Sequence, residues 1–343
     1  MATKRRALLG LAGLAAAVVV FAAGRVDPNN PTGSHGLIVI DKIGRHVRFF
    51  DPSTFHEIPN TALDVGVAPH DVAISPDHKF AYIPVYGDGV YGRNPNPGHT
   101  IAIIDLAARK VAGTIDVSPY QAPHGIQIDD AGKIYVTCDL SRKLLVIDPK
   151  TRSIEAALDT EGTGHWVAVL PDASKAYVVN KNDRLFVTVI DLKKRATIAR
   201  IPAPNGTEGI AASPDGKWVI AADHSEPKLL VIDPATDTVA VTLPLEGNMK
   251  ASFKPRFSLD GSKLLVCNLT ERVVNVIDIA DPHGKQQVLT VGKDPMGFAF
   301  APDGKTVLVA NHGDGTVSVI DLSQNKVVST FTGGTGVESL AYY

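Results

Sequence analysis

The stretch LLVIDP, residues 144–149, decides the fold because it recurs. The pattern apolar-x-apolar-Ile-Asp ends also at Asp105, Asp191, Asp233, Asp278 and Asp321, and a degenerate form, VRFFD, ends at Asp51. The steps between these aspartates are 54, 43, 43, 42, 45 and 43 residues. So regular a period marks a repeat architecture. Each unit holds four short β-type runs. One precedes a Pro-Asp-Gly-like hairpin, one follows it, the third is the VID run, and the fourth resembles KVAGTIDV, residues 110–117. Asp215-Gly216, Asp260-Gly261 and Asp303-Gly304 carry tight-hairpin chemistry, and Asp148-Pro149 and Asp233-Pro234 start the next turn. Four antiparallel strands per period make one propeller blade.

Counting strands also predicts how the ring closes. The first unit begins only at GLIVID, residues 36–41, and lacks an inner strand, while VESLAYY, residues 337–343, stands alone at the C-terminus. Pairing the two gives an all-β, seven-bladed β-propeller without open sheet edges. Residues 36–343 form this one domain.

Composition agrees with a packed, non-nucleic-acid-binding protein. The chain has 343 residues, 44% of them hydrophobic and 20% charged, with a formal charge of −2. No Lys/Arg block follows the first few residues, which excludes the usual footprint for a polyanion. Lys4, Arg5 and Arg6 precede an apolar run from Ala7 to Ala23, and Ala22-Ala23-Gly24 offers small residues for cleavage. Residues 1–24 therefore read as a signal peptide, of either the twin-arginine or the plain secretory type, and residues 25–35 as a leader. A periplasmic or secreted monomer with no membrane span after processing is expected.

TVLVANHGDGTVSVIDLSQNKVVSTF, residues 306–331, and KAYVVNKNDRLFVTVIDLKKRATIARI, residues 175–201, resemble the YVTN-repeat seven-bladed propellers. The resemblance spans residues 36–343 and implies the fold. The family includes secreted binding scaffolds, and related propellers include lyases and lactonising enzymes, so it implies no single activity.

Aligning the units on their hairpins gives the residue that opens each inner strand at the channel mouth. From blade 1 onward these are Glu338, His70, His124, His165, Glu208, Phe253 and Met296. Three imidazoles on adjacent blades, flanked by carboxylates, suit a divalent transition metal (Zn, Fe or Cu) with His70, His124 and His165 as ligands. The blander role for the same residues is a water-bonded rim. Glu208 or Glu338 would move a proton, and Arg256 would orient a substrate carboxylate.

The strand-exit loop of blade 2, YGDGVYGRNPNPGH at residues 86–99, is about ten residues longer than its counterparts. It reads as a lid with Tyr86, Tyr91, Arg93 and His99 available to a cofactor or ligand. The second-strand exits themselves (Asp41, Val85, Asp139, Asn180, Asp223, Asn268, Asn311) read as turn residues, and His224 and His312 beside them as solvated loop histidines. Cys138 and Cys267 lie three blades apart, too far for a disulfide, and read as packing thiols. There is no Cys-x-x-Cys-His, Gly-rich phosphate loop or Gly-x-Ser-x-Gly elbow, so neither covalent haem nor a nucleotide is expected. The expected function is a metal-dependent lyase, isomerase or oxidoreductase acting on a small anionic molecule. The alternative is a non-catalytic scaffold that binds a cofactor, peptide or protein.

Overall fold

The computed structural model describes residues 35–91, 93–181, 184–247 and 254–343. The signal expected at residues 1–24, the leader expected at residues 25–35 apart from His35, and Phe253 lie outside them. Seven four-stranded sheets form the ring; in six the strands run in chain order from the channel outward, and in blade 1 the C-terminal strand is innermost. Blade 3 is representative, with Pro123–Ile128 innermost, then Ile134–Cys138, Lys143–Asp148 and Ser153–Asp159 outermost. The hairpin turns need a left-handed residue after the aspartate, and Gly216, Gly261 and Gly304 supply it with φ of 70°, 71° and 68°.

The ring closes as strand counting predicts. Val337–Tyr342 pairs antiparallel with Leu37–Asp41, setting Leu37 opposite Tyr342 and Val39 opposite Leu340. Asp41, completely buried, fixes this seam. Its carboxylate accepts hydrogen bonds from the backbone N–H of Thr335 (3.0 Å), Gly336 (2.9 Å) and Gly44 (3.0 Å) and from Arg48 Nε (3.0 Å). Burial alone would raise its pKa, but these donors outweigh it and hold the carboxyl below its ordinary range.

The sequence period explains where the core sits. In the second and third strands of a blade both faces are apolar, because one face meets the blade before and the other the blade after. Ile38 and Ile40 pack against blade 2, whereas Leu37 and Val39 pack against blade 7. The buried apolar residues accordingly fall into seven clusters, each straddling one junction between neighbouring blades. Outermost strands alternate instead, as in Ala196–Pro202, and face water on one side. Cys138 and Cys267 are buried free thiols in the blade 2/3 and blade 6/7 clusters. Burial pushes the Cys267 thiol up to about 12, so it packs as a small apolar group.

Blade 2 carries the one large departure. Its second and third strands, Phe80–Val90 and Arg93–Asp105, run past the sheet as a two-stranded arm. Gly87 (φ 96°) and Gly98 make it possible, since a Cβ on either would collide with the backbone of the opposite strand. In the loop expected at residues 86–99, residues 86–90 and 93–99 are therefore β-structure, and Tyr91 beside them reaches His165 at the channel mouth.

Candidate functional site

Because each inner strand starts at the same height, the second residue of Val337–Tyr342, Pro123–Ile128 and Thr207–Ala212 faces its neighbours around the mouth. The result is a continuous arc of Glu338, His70, His124, His165 and Glu208, all no more than 5% exposed. Ring centroids of His70 and His124 lie 3.9 Å apart, and those of His124 and His165 4.0 Å.

The two ends of the arc are built alike. At one, Glu338 lies 3.0 Å from His312 Nδ1, 3.4 Å from His70 Nε2 and 3.5 Å from Lys42 Nζ. At the other, Glu208 lies 3.1 Å from Lys181 Nζ, 3.2 Å from His165 Nε2 and 3.3 Å from His224 Nδ1. Each end is one carboxylate held by one ammonium and two imidazoles. Burial opposes the charge on Glu208, but hydrogen bonds from His165 and His224 and the Lys181 charge outweigh it and keep the carboxyl far below its ordinary range. Glu338 behaves likewise, with Lys42, His70 and His312 outweighing burial.

His124, at the centre, differs from its neighbours. Its Nδ1–H donates to the backbone carbonyl of His165 (3.1 Å), which leaves the lone pair on Nε2. That nitrogen has no partner among the described residues. The unpartnered Nδ1 atoms of His70 and His165, by contrast, are sealed from solvent. Burial, and then its neighbours His165 and His70, hold the His124 imidazole well below its ordinary pKa, so it is neutral. Burial and the Lys42 charge do the same to His70, and burial lowers His165 in spite of Glu208.

Aromatic rings close the arc from outside. Trp166 stands edge-on to all three imidazoles, with centroids 5.6, 4.6 and 5.5 Å from His70, His124 and His165, and Lys254 Nζ sits 3.6 Å over its ring. From the arm, Tyr91 lies edge-on to His165 at 4.5 Å and donates its hydroxyl to Thr163 O at 2.7 Å. Tyr86 is edge-on to His70 and His124 and donates to Asp139 Oδ2 at 2.7 Å. Asp139 is wholly buried, with Oδ1 unpartnered, and burial raises its pKa to about 7 even against the Tyr86 hydrogen bond. Replacing Tyr91 by Phe is expected to cost about 1 kcal/mol of stability, the size of one neutral hydrogen bond. Modification of His165 by diethyl pyrocarbonate should also be faster, as read by mass spectrometry.

Not every expected residue joins this group. Arg256 and His99 are exposed, and His99 neighbours Asp116 on the outer strand rather than the arc. Lys254, two residues before Arg256 on the same strand face, is the blade 6 cation at the mouth. His224 and His312 are corrected from solvated loop residues to partners of Glu208 and Glu338. Lys42, Lys181 and Trp166 were missed by the sequence reading. A signal for four of these existed: one residue beyond each second-strand exit the chain reads Lys42, Tyr86, Leu140, Lys181, His224, Leu269 and His312.

Comparison with known proteins bears on the cofactor. The family model of the cytochrome D1 heme domain matches residues 128–281, and no curated protein matches. Among solved structures, hydrazine synthase of Kuenenia stuttgartiensis superposes with a TM-score of 0.66 at 19% identity, covering 80% of this chain and 89% of that chain. Both are seven-bladed propellers, so the YVTN-repeat resemblance is upheld as to the fold, while the family that matches is a haem domain's. The cofactor expectation, a bare Zn, Fe or Cu ion with covalent haem set aside, is thereby corrected, since that match points to haem. The geometry gives the physical reason. Among the described residues no three His, Cys, Asp or Glu side chains converge on a metal position, because the imidazoles stack and turn their nitrogens to Glu338, Glu208 and the His165 carbonyl. No described helix is long and apolar enough to cross a membrane.

Proposed function

We propose that the protein is an exported haem-binding propeller whose channel mouth is the cofactor site, working on small molecules by oxidation or reduction. One observation carries the reading. His124 presents a neutral imidazole with Nδ1 tied to a carbonyl and Nε2 free, which is the arrangement of a metal-ligating histidine. The donor set fits haem: His124 Nε2 would hold its iron, and the ammonium groups of Lys42, Lys181 and Lys254 would hold its carboxylate side groups. Tyr91 and Trp166 cover the arc, so a macrocycle reaches His124 only after the arm has moved. Haem bound there supplies one-electron redox chemistry.

The chain's own residues set the charge around it. Lys42 and His312 hold Glu338, and Lys181 and His224 hold Glu208, as two ionised carboxylates on either side of His124. Asp139, whose pKa burial raises to about 7, is linked through Tyr86 to the His124 ring within the same wall. A substrate at the mouth thus meets fixed negative charge and fixed positive charge.

Titration of the purified protein with haemin tests this. A Soret band saturating at one haem per chain is expected, with affinity at least tenfold weaker in His124→Ala and faster uptake when residues 88–97 are replaced by a short turn. The internal pairing of the arc also favours a second reading, a closed binding scaffold without cofactor. A titration with no saturable Soret change would leave that reading standing and remove the haem one.

A further inference from the structure

On the face away from the mouth, blades 2 and 3 enclose a cavity of about 420 Å³ between their hairpins and outer turns. That is within the usual range of small-molecule sites. Phe80, Ile103 and Ile128 form its apolar walls, and Tyr82, Lys150 and Arg152 its polar ones.

The repeat shows what this junction lacks. Tyr82, Tyr135 and Tyr177 occupy the same place in blades 2, 3 and 4, each opposite the third residue of the VID run. Tyr177 donates its hydroxyl to Asp237 Oδ1 of the blade 5 turn at 2.5 Å, and Lys175 Nζ binds Asp237 Oδ2 at 2.7 Å. Tyr135 donates to Asp129 Oδ2 at 2.9 Å. For Tyr82 both carboxylates are gone. The counterpart of Asp237 is Arg152, and that of Asp129 is Ser75, whose hydroxyl is turned onto Asp77 at 2.7 Å.

The Tyr82 hydroxyl therefore has no partner among the described residues and is open to the cavity, although the residue as a whole is only 5% exposed. Arg152 reaches only the backbone carbonyl of Ala112, at 3.5 Å, and no described carboxylate is paired with it or with Lys150. A phenol without a protein partner and two exposed cations that no described carboxylate neutralises line an apolar cavity at the spot where the blade 4/5 junction carries its own carboxylate. Of the two acids on the rim, Asp77 is taken up by Ser75 and Lys79, and Asp130 disfavours a polyanion.

We propose that the cavity between blades 2 and 3 binds a small apolar monocarboxylate, whose carboxylate takes the place held by Asp237 between blades 4 and 5, accepting from Tyr82 and Arg152 while its apolar body lies against Phe80, Ile103 and Ile128. Charge-assisted bonds from a guanidinium and a phenol make the carboxylate the recognised end. The site is separate from the channel mouth and does not rest on haem binding there.

The probes are 3-phenylpropionate and its uncharged counterpart 3-phenylpropanol, followed by isothermal titration calorimetry on the full chain. One phenylpropionate per chain is expected, bound at least tenfold more tightly than the alcohol. Arg152→Asp, which installs the blade 5 residue and satisfies Tyr82 internally, should abolish binding; Tyr82→Phe should weaken it severalfold; His124→Ala should leave it unchanged. Equal binding of acid and alcohol, undiminished binding by Tyr82→Phe and Arg152→Asp, loss of binding in His124→Ala, or no saturable binding would each overturn the assignment.

Discussion

Deleting residues 337–343 is expected to abolish the folded monomer. These residues supply the whole inner strand of blade 1, and Val337, Leu340, Tyr342 and Tyr343 are all buried, in the clusters on both sides of that blade. At about 1.5–3 kcal/mol for each large apolar side chain removed from water, the loss matches the entire stability of an ordinary domain, about 5–15 kcal/mol. Polar losses come on top. Glu338 leaves with the strand, so Lys42 and His312 lose their carboxylate, and the edges of Leu37–Asp41 and of blade 7 are exposed to other chains. Insoluble protein, or a soluble aggregate without near-ultraviolet circular dichroism, is the expected result. Leu340→Ala grades the effect, with an expected loss of about 2–5 kcal/mol in a still folded chain. A truncated monomer that melts like the full chain would show that another strand closes the ring.

The second large effect is a loss of stability of the haem-free protein between pH 7 and pH 5. His70, His124 and His165 are held below their ordinary pKa in the fold, while in the unfolded chain they titrate near about 6.5. As pH falls through that value, the unfolded state takes up protons that the folded state refuses, so each histidine removes up to about 1.4 kcal/mol per pH unit. Asp139 runs the other way. Its folded pKa of about 7 lies above the unfolded value, so its protonated form favours the fold as pH falls, which cancels about one histidine. A net loss of at most about 3 kcal/mol over the whole window remains, on the order of two histidines. Glu208 and Glu338 add nothing in this window. Their folded pKa values are depressed, and the stability they contribute is lost only below about pH 4.3, the unfolded value. Urea unfolding at pH 7, 6 and 5 measures the slope, and His165→Gln should flatten it by about half. Constant stability across that range would mean that the arc opens to water and takes up protons in the fold.

The sequence made the ring legible because its punctuation is local. A VID run ended by aspartate and a hairpin glycine with positive φ need no partner to be recognised, and a missing strand can be counted. The arc was legible for a related reason: aligned repeats put Glu338, His70, His124, His165 and Glu208 at one height. Alignment fixes where a Cα sits and leaves the direction of the ring open, and so three adjacent histidines suggested a chelate where the nitrogens in fact face carboxylates. The same limit hid Lys42, Lys181, His224 and His312. Their neighbours Asp41, Asn180, Asp223 and Asn311 do turn-like work, so the next residue reads as solvent-facing until the curvature of the channel brings it inward. Arg256 and Lys254 share a strand face, and only depth along the channel, which pattern does not encode, separates them.

The partition of the core into seven shared clusters bears on how such a chain changes over generations. No blade owns a core, so copying or losing one whole unit alters the number of junctions while every surviving junction keeps its native chemistry. Lineages built this way can gain or shed a unit at the cost of one new junction, every other one being kept. What constrains them is adjacency at the mouth, where blades 1 to 5 must follow one another for Glu338, His70, His124, His165 and Glu208 to touch. Duplications are therefore expected to survive among blades 6 and 7, and to erase the site when they fall between blades 1 and 5.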